Sequence, residues 1–529
     1  MTTSIPAVTY PVPAEPVRGD VALAYGTLAA GVRLVTGYPG SPATGTFDAL
    51  VALTRPGELD IHWAPNEKVA VEEAFGASLA GARALVVVKS VGLNIGLDPL
   101  ATLSLSGTYA GMVILLGDDP GGWSSQNEQD TRWLARVAEV PIVEPIAVEQ
   151  AAAVMAQAFA WSEALALPVI VRITRAMSLA KGQIEAPWRL PPFGRRFYRQ
   201  RNRWIVLPYL VEQRHDALHA KLGQFAAMLA ASPYDVAAGQ NPAGQNPAGQ
   251  NPAGDGPLGV VGAGFMWSKA RDALGAHAGV RLLGLTSSWP LPEEALIAWL
   301  RPLRRVLVLE EGGPFIEEQL AALAQRAGLA TEVLGRHTRT VPLEGEVLPE
   351  RVAAALAALD STYRVQAAAV AQPPMPSTVP LCPDCPYRPV FEALIRCMER
   401  HGGRTRHIIV GETGCMVRAN LPPMELFDVK HGLGSGLGIA MGLARADERQ
   451  HVVALVGDSS FFHSDINAMP YVVQHQVPMT VVVLDNGTTA LTGGQAHPGS
   501  AADERGDVRE WTADLVEVIA GCGLAPQGL

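Results

Sequence analysis

Short runs in which every position is apolar recur along the chain, separated by Ala/Gly-rich stretches with helical spacing. In the first third they fall at residues 32–36, 84–88, 112–116 and 168–172. Strands with one solvent face alternate apolar and polar residues, so runs that are apolar throughout predict strands covered on both faces. Their alternation with helices predicts a parallel, doubly wound sheet. A second α/β unit is predicted from runs at 259–261, 280–284, 306–310 and 330–334, and a third from runs at 408–410, 452–456 and 480–484. Between the first two units, residues 189–237 read as a helical or irregular connector. Gln-Asn-Pro-Ala-Gly then occurs three times in tandem at 240–254. Pro and Gly every few residues oppose helix and sheet alike, which predicts a flexible linker. A second proline-rich join spans 371–380. The pattern divides the chain into a tail (1–18), a first α/β domain (19–188), a connector with the repeat (189–256), a middle domain (257–362) and a last domain (380–529).

Composition narrows the function classes. Of the 529 residues, 48% are hydrophobic and 17% charged, as in a compact enzyme, and no apolar run approaches the roughly 18 to 20 residues of a membrane helix. The first twenty residues are Pro-rich and lack the basic-then-apolar build of a signal peptide, so the expected location is cytoplasmic, with no membrane partner. A formal charge of −10 without a basic stripe argues against a nucleic-acid partner. The one basic cluster, Arg195, Arg196, Arg199, Arg201 and Arg203, is interleaved with aromatics and reads as a solvated linker or docking face. The five cysteines are too few for a disulfide scaffold, and their odd number suggests free thiols or metal ligation. Cys397 and Cys522 read as core.

The strongest chemical signal is Gly457-Asp458-Ser459 followed by Asn486, 28 positions after the Asp. A strand ends at Gly457-Asp458, a helix predicted at 465–474 returns the chain, and the next strand ends at Asp485-Asn486. Right-handed crossover would make the strands neighbours and bring both polar ends to the carboxyl edge of the sheet, where open α/β folds bind ligands. A carboxylate and an amide oxygen there are hard ligands suited to Mg²⁺ bridging a diphosphate, and Gly457 permits close backbone approach. Upstream, His431-Gly-Leu-Gly-Ser-Gly436 opens an Ala/Gly-rich helix. In the first domain, Asn66 reads as an N-cap and Glu67 as an acid in the first helical turn, nine residues before Gly76. On its own, such an acid serves the helix dipole.

Together these runs resemble the alpha subunits of the indolepyruvate:ferredoxin oxidoreductases, which are thiamine-diphosphate-dependent 2-oxoacid oxidoreductases. The similarity is carried by 457–464, from Gly457-Asp-Ser-Ser to Phe-Phe-His-Ser464, and by 485–499, Asp485-Asn-Gly-Thr-Thr-Ala-Leu-Thr-Gly-Gly-Gln-Ala-His-Pro-Gly499. It implies an α/β fold of several doubly wound domains, pyrimidine-binding first and diphosphate-binding last, with a transketolase C-terminal-like domain between them. It implies thiamine diphosphate and Mg²⁺ as cofactors, with Asp458, Asn486 and Thr488 as metal ligands. Gly434, Ser435, Gly457, Asp458, Ser459 and Asn486 would hold the cofactor. Glu67 becomes the catalytic acid that hydrogen-bonds the aminopyrimidine, and Ser41, Lys89 and Asn94 become substrate contacts, in the runs Thr36-Gly-Tyr-Pro-Gly-Ser-Pro42 and Lys89-Ser-Val-Gly-Leu-Asn94. The partners implied are an aryl 2-oxoacid such as indolepyruvate, coenzyme A, ferredoxin and a smaller beta- or gamma-type subunit, in an oligomer.

The sequence departs from the family in two places. No Cys-x2-Cys-x2-Cys run occurs in it, so a C-terminal ferredoxin-like module is expected to be lacking and the last domain to be truncated. Cys382-Pro-Asp-Cys385 and Cys415 match three of the positions that sister enzymes use for an iron–sulfur cluster. A cubane prefers four thiolates, so the chain alone is expected to hold no stable cluster. The alternatives are a non-oxidative 2-oxoacid decarboxylase or carboligase, and an inactive truncated subunit.

Overall fold

The computed structural model describes residues 11–185, 189–194, 196–197, 199–237, 257–275, 277, 279–364 and 380–524. The tandem repeat at 240–254 and all but the last residue of the 371–380 join lie outside them. The chain divides into two compact units, one formed by Met1–Ile61 with Glu67–Gln372, the other by His62–Asn66 with Pro373–Leu529. Among the described residues no helix is long and apolar enough to cross a membrane.

The strands of unit 1 are β1 (Val17–Arg18), β2 (Leu34–Gly37), β3 (Asp60–Ile61), β4 (Ala84–Lys89), β5 (Met112–Asp118), β6 (Ile142–Val143), β7 (Val169–Thr174), β8 (Lys181–Gly182), β9 (Val236–Ala237), β10 (Leu258–Ala263), β11 (Val280–Leu285), β12 (Ser287–Trp289), β13 (Arg305–Leu309) and β14 (Glu332–Leu334). Each fully apolar run of the first third has become a strand covered on both faces, with every residue of β4, β5 and β7 buried. Their sheet has the order β12-β6-β7-β5-β4-β2-β3 and is parallel except for β12. A second sheet, β14-β13-β10-β11-β9, is parallel except for β9. The pattern did not foretell β12, which immediately follows a strand of the second sheet yet pairs with β6 of the first. The end of the expected tail is also anchored, because β1 pairs with β8.

Buried ion pairs stand between the two sheets of unit 1. Arg172 on β7 donates to Asp118 (2.7 Å), Glu144 (2.5 Å) and the carbonyl of Glu311 (3.0 Å). Arg132 pairs with Asp130 (2.6 Å) and Glu310 (2.7 Å). Arginine suits these places because its planar donors can be shared among several acceptors. The predicted connector contains a long helix, Val211–Ala230, which buries Leu218, Leu222, Phe225 and Leu229 at helical spacing. In the basic cluster before it, Arg203 donates to the carbonyls of Ser106 and Thr108 and packs over Trp204.

Unit 2 is built on β15 (His407–Gly411), β16 (Val429–Lys430), β17 (His451–Gly457) and β18 (Met479–Leu484), in the order β16-β15-β17-β18 and all parallel. The helix predicted at 465–474 begins earlier than expected. The chain turns at Asp458–Ser460, passes through a wide π-type turn at Phe461–Asp465 and continues as Ile466–Gln474. Phe461 and Phe462 are buried in the core of the unit, which packs this stretch against it.

Candidate functional site

In unit 2, β15 leads to β16 on one side of the sheet, while the chain returns to β17 on the other. The strand order therefore reverses between β15 and β17, the place where open sheets hold ligands at their carboxyl ends. Gly457 ends β17, and β18 lies beside it with Gly457 opposite Leu484. Asp458 and Asn486 are consequently brought together. The Oδ2 atom of Asp458 accepts the N–H groups of Asn486 (3.0 Å) and Gly487 (2.7 Å), and Oδ1 accepts that of Ser459 (2.8 Å). Burial alone would raise this carboxyl, but His497 and the backbone donors offset it and hold it below the usual carboxylate range.

His497 is part of the site, although its role was not assigned from the sequence. Its Nε2 lies 3.1 Å from Asp458 Oδ2, while its Nδ1 accepts the N–H of Gly499 at 3.1 Å. With Nδ1 accepting, the proton sits on Nε2 and faces the carboxylate. Tyr387 was missed as well. Its hydroxyl accepts from Asn486 Nδ2 at 2.6 Å, which turns Asn486 Oδ1 toward the N–H of Thr488, 2.9 Å away. Nothing in the local sequence around Tyr387 marks it, because the link spans 99 positions.

This donor set suits a small hard cation. Asp458 Oδ1 and Asn486 Oδ1 each receive one backbone N–H in the described structure and keep a lone pair. The hydroxyl of Thr488 donates to the carbonyl of Gln495, leaving its own oxygen able to accept. One carboxylate with neutral oxygens is the protein share typical of Mg²⁺ sites, where phosphate and water complete the shell. Among the described residues no group of three or more His, Cys, Asp and Glu is arranged to hold a metal ion by itself. Gly434 and Ser435 precede the helix Gly436–Ala446, and Gly434 has φ +68°, which a side chain rarely adopts.

In unit 1 the chain runs from β2 to β3 on one side and from β4 to β5 on the other, so the reversal lies between β2 and β4. The loops after these strands meet there, with Gly40 packed on the side-chain stem of Lys89. Lys89 is buried and donates to the carbonyl of Ser124 at 2.7 Å. Burial brings its amine down to about 8, with Asp119 acting in the opposite direction. Ser41 is exposed in the neighbouring loop. Asn94 is exposed and spends its amide on Gln129 (3.1 and 3.0 Å), whose nitrogen also donates to the carbonyl of Ser90. Glu67 is the first residue of the helix Glu67–Leu79 and is buried. Gly92 makes room for it, since a Cβ there would overlap the Glu67 carboxyl group, with Cδ only 2.7 Å away.

Of the cysteines, Cys382 is exposed and Cys385 and Cys415 are half-buried, none of the three in a disulfide. They are near enough that Cys385 and Cys382 act on Cys415, whose thiol is pushed up chiefly by burial. Cys397, read as core, is exposed instead, on a helix whose buried residues are Phe391 and Met398. Cys522 packs at the edge of the unit 2 core.

Residues 25–187 match the family described as "Pyruvate flavodoxin/ferredoxin oxidoreductase, thiamine diP-bdg", and residues 412–527 match "Thiamine pyrophosphate enzyme, C-terminal TPP binding domain". The chain is similar to indolepyruvate oxidoreductase subunit IorA of Pyrococcus abyssi, with 31% identity over 92% of this chain and 77% of that one. It is similar also to subunit IorA of Methanothermobacter thermautotrophicus, with 33% identity over 92% of this chain and 78% of that one. Among solved structures, a 2-oxoglutarate:ferredoxin oxidoreductase from Magnetococcus marinus aligns over 60% of this chain and 61% of its own, with a TM-score of 0.47 and 16% identity.

Proposed function

The chain belongs to the family of indolepyruvate oxidoreductase IorA subunits, and from that premise we propose that it oxidises an aryl 2-oxoacid of the indolepyruvate class to the acyl-CoA, with ferredoxin as electron acceptor. Membership makes it a subunit of a thiamine-diphosphate-dependent 2-oxoacid oxidoreductase. The observation that best supports the site assignment is the buried, ionised Asp458 tied to the Asn486 loop.

In this reading Asp458, Asn486 and Thr488 hold Mg²⁺ against the diphosphate, with Tyr387 orienting the Asn486 amide. Gly434 and Ser435 offer the diphosphate the N-terminal end of a helix, which favours anions. Gly457 and Ser459 line the same strand end. When bound, thiamine diphosphate supplies a nucleophilic carbon and a sink for the electron pair left when CO₂ departs. Glu67 holds a proton at N1′ of the aminopyrimidine and so governs proton transfer at its amino group. Lys89 and Ser41 bind the carboxylate of the 2-oxoacid. Asn94, expected as a substrate contact, has its amide engaged with Gln129 and in this reading supports that loop instead. A smaller subunit and ferredoxin would carry the electrons away.

Isothermal titration of the full chain with thiamine diphosphate tests the assignment. Binding is expected only with Mg²⁺ and is expected to vanish in Asp458→Ala, because a charged ligand in a partly desolvated site is lost. Equal affinity with and without Mg²⁺ would remove the metal assignment. Adding the small subunit and comparing aryl with short-chain 2-oxoacids in a viologen-reduction assay tests the substrate. A preference for short chains would overturn the aryl reading.

A further inference from the structure

Two acids lie together in unit 2 where the strand order reverses. Glu412 directly follows β15 and is fully buried, and Asp465 closes the wide turn after Asp458 and is 1% exposed. Each spends one oxygen on the turn that opens the helix Gly436–Ala446. Glu412 Oε2 accepts the N–H of Gly434 at 2.8 Å, and Asp465 Oδ1 accepts that of Leu437 at 3.2 Å. The other two oxygens, Glu412 Oε1 and Asp465 Oδ2, are buried and meet no donor. The two carboxyl groups are nevertheless within hydrogen-bonding reach of each other.

Two ionised carboxylates so placed would be like charges in a dry site, each with an orphaned acceptor, which burial strongly disfavours. A single proton between them cancels one charge and satisfies both oxygens. His463 acts on Asp465, while no positive group is among the main influences on Glu412. Glu412 faces Ser460, Asp465 and the N–H groups of Gly434 and Gly436; Asp465 faces Glu412, the N–H of Leu437 and His463. Burial, then the charge of Asp465, pushes the Glu412 carboxyl well up. Burial pushes Asp465 up too, against the opposing pull of Glu412 and His463.

We infer that Glu412 is a positioning residue for the anion-binding turn: it keeps a proton at neutral pH, shares it with Asp465, and so fixes the N–H groups of Gly434 and Leu437 while one negative charge, not two, stands behind them. The inference rests on the thiamine-diphosphate reading of unit 2. Loss of the shared proton would place a second charge behind a turn that must attract an anion. Affinity for thiamine diphosphate therefore falls as pH rises through that ionisation, by up to about tenfold per pH unit for one linked proton. Glu412→Gln keeps a permanent donor toward Asp465 and an acceptor for Gly434, and cannot ionise.

Two measurements on the full chain test this independently. Infrared spectra without cofactor should show the carbonyl stretch of a protonated buried carboxylic acid at neutral pH, diminishing as pH rises and absent from Glu412→Gln and Asp465→Asn. Titration with thiamine diphosphate and Mg²⁺ between about pH 7 and about pH 9.5 should show affinity falling with pH in the native chain and a flat profile in Glu412→Gln. A band unchanged in both variants, or the same pH slope in Glu412→Gln as in the native chain, overturns the inference. If the native chain shows the band but binds no thiamine diphosphate at any pH, the cofactor reading and the positioning role both fall, while the shared proton stands.

Discussion

A glycine inside a helix ordinarily costs about 1 kcal/mol relative to alanine, so Gly→Ala there should stabilise. Gly92 is the opposite case, because its helix Ser90–Ser106 passes directly over the Glu67 carboxyl group. A methyl group at 92 would drive Glu67 out of its place, whereas Glu67→Gln leaves the shape and removes the proton. Both variants are expected to slow C2–H exchange of bound thiamine diphosphate by about 10² or more, with cofactor affinity within roughly tenfold. Deuterium exchange followed by NMR reads this, and an unchanged rate in Glu67→Gln would reduce Glu67 to a helix-terminal acid. Lys89 makes a second residue-scale prediction. Its folded value of about 8 lies below the unfolded lysine value, so burying the charged form costs stability at neutral pH. The penalty fades as pH rises from about 8 to about 10.4, by an amount on the order of 3 kcal/mol. Lys89→Met should therefore gain on the native chain at pH near 7 and lose that advantage by about pH 10, measured by urea unfolding. A gap independent of pH would mean that the buried amine is not depressed.

At the scale of elements, the turn before the helix Gly436–Ala446 is constrained twice. Gly434 has a positive φ, and a Cβ there would overlap Ser464, whose Oγ is 3.0 Å away. A left-handed backbone costs a side-chain-bearing residue about 1–2 kcal/mol, and the overlap adds to it. Gly434→Ala is thus expected to weaken thiamine-diphosphate binding by at least about tenfold, and Ser464→Gly in the same chain should restore only the steric part. Full recovery in the double variant would show that φ plays no part. This turn was legible as a glycine-rich helix start, and so were the parallel strands of three residues or more, because a run apolar on both faces is a local signal; the two-residue strands β3, β6 and β16 carry no such run. Elements that owe their place to distant partners were not legible. β12 pairs with β6 across more than a hundred residues of chain, and Tyr387 reaches Asn486 only through the fold. Glu412 could have been suspected as an acid at a strand's carboxyl end, but its pairing with Asp465 depends on the wide turn at Phe461–Asp465, which breaks the helical period. Cys397 was misread for a related reason: its helix turns Phe391 and Met398 inward, and position 397 falls outside that face.

At the scale of the molecule, unit 1 holds two sheets that the chain pattern divides between two domains. The antiparallel strand β12 and the buried arginines join them into one body. Arg172 is the centre of that joint, since it reaches Asp118 at the end of β5, Glu144 after β6 and the carbonyl of Glu311 after β13. Burial opposes its charge, but Glu144 and Asp118 more than offset this and keep the guanidinium protonated. Removing it would leave those carboxylates buried and uncompensated, a loss of about 3–5 kcal/mol. Replacing a whole buried pair with apolar residues is far milder than removing one partner, so Arg172→Met should be severe while Arg172→Met with Asp118→Leu and Glu144→Leu should recover part of the loss. The joint also predicts cooperativity. In the native chain both sheets of unit 1 should melt in one calorimetric transition, because neither can lose the other without exposing these charges. In Arg172→Met that transition should broaden or split as the second sheet separates from the first. A single sharp transition in the variant, lowered in temperature only, would show that β12 and the apolar contacts hold the two sheets together without the arginine.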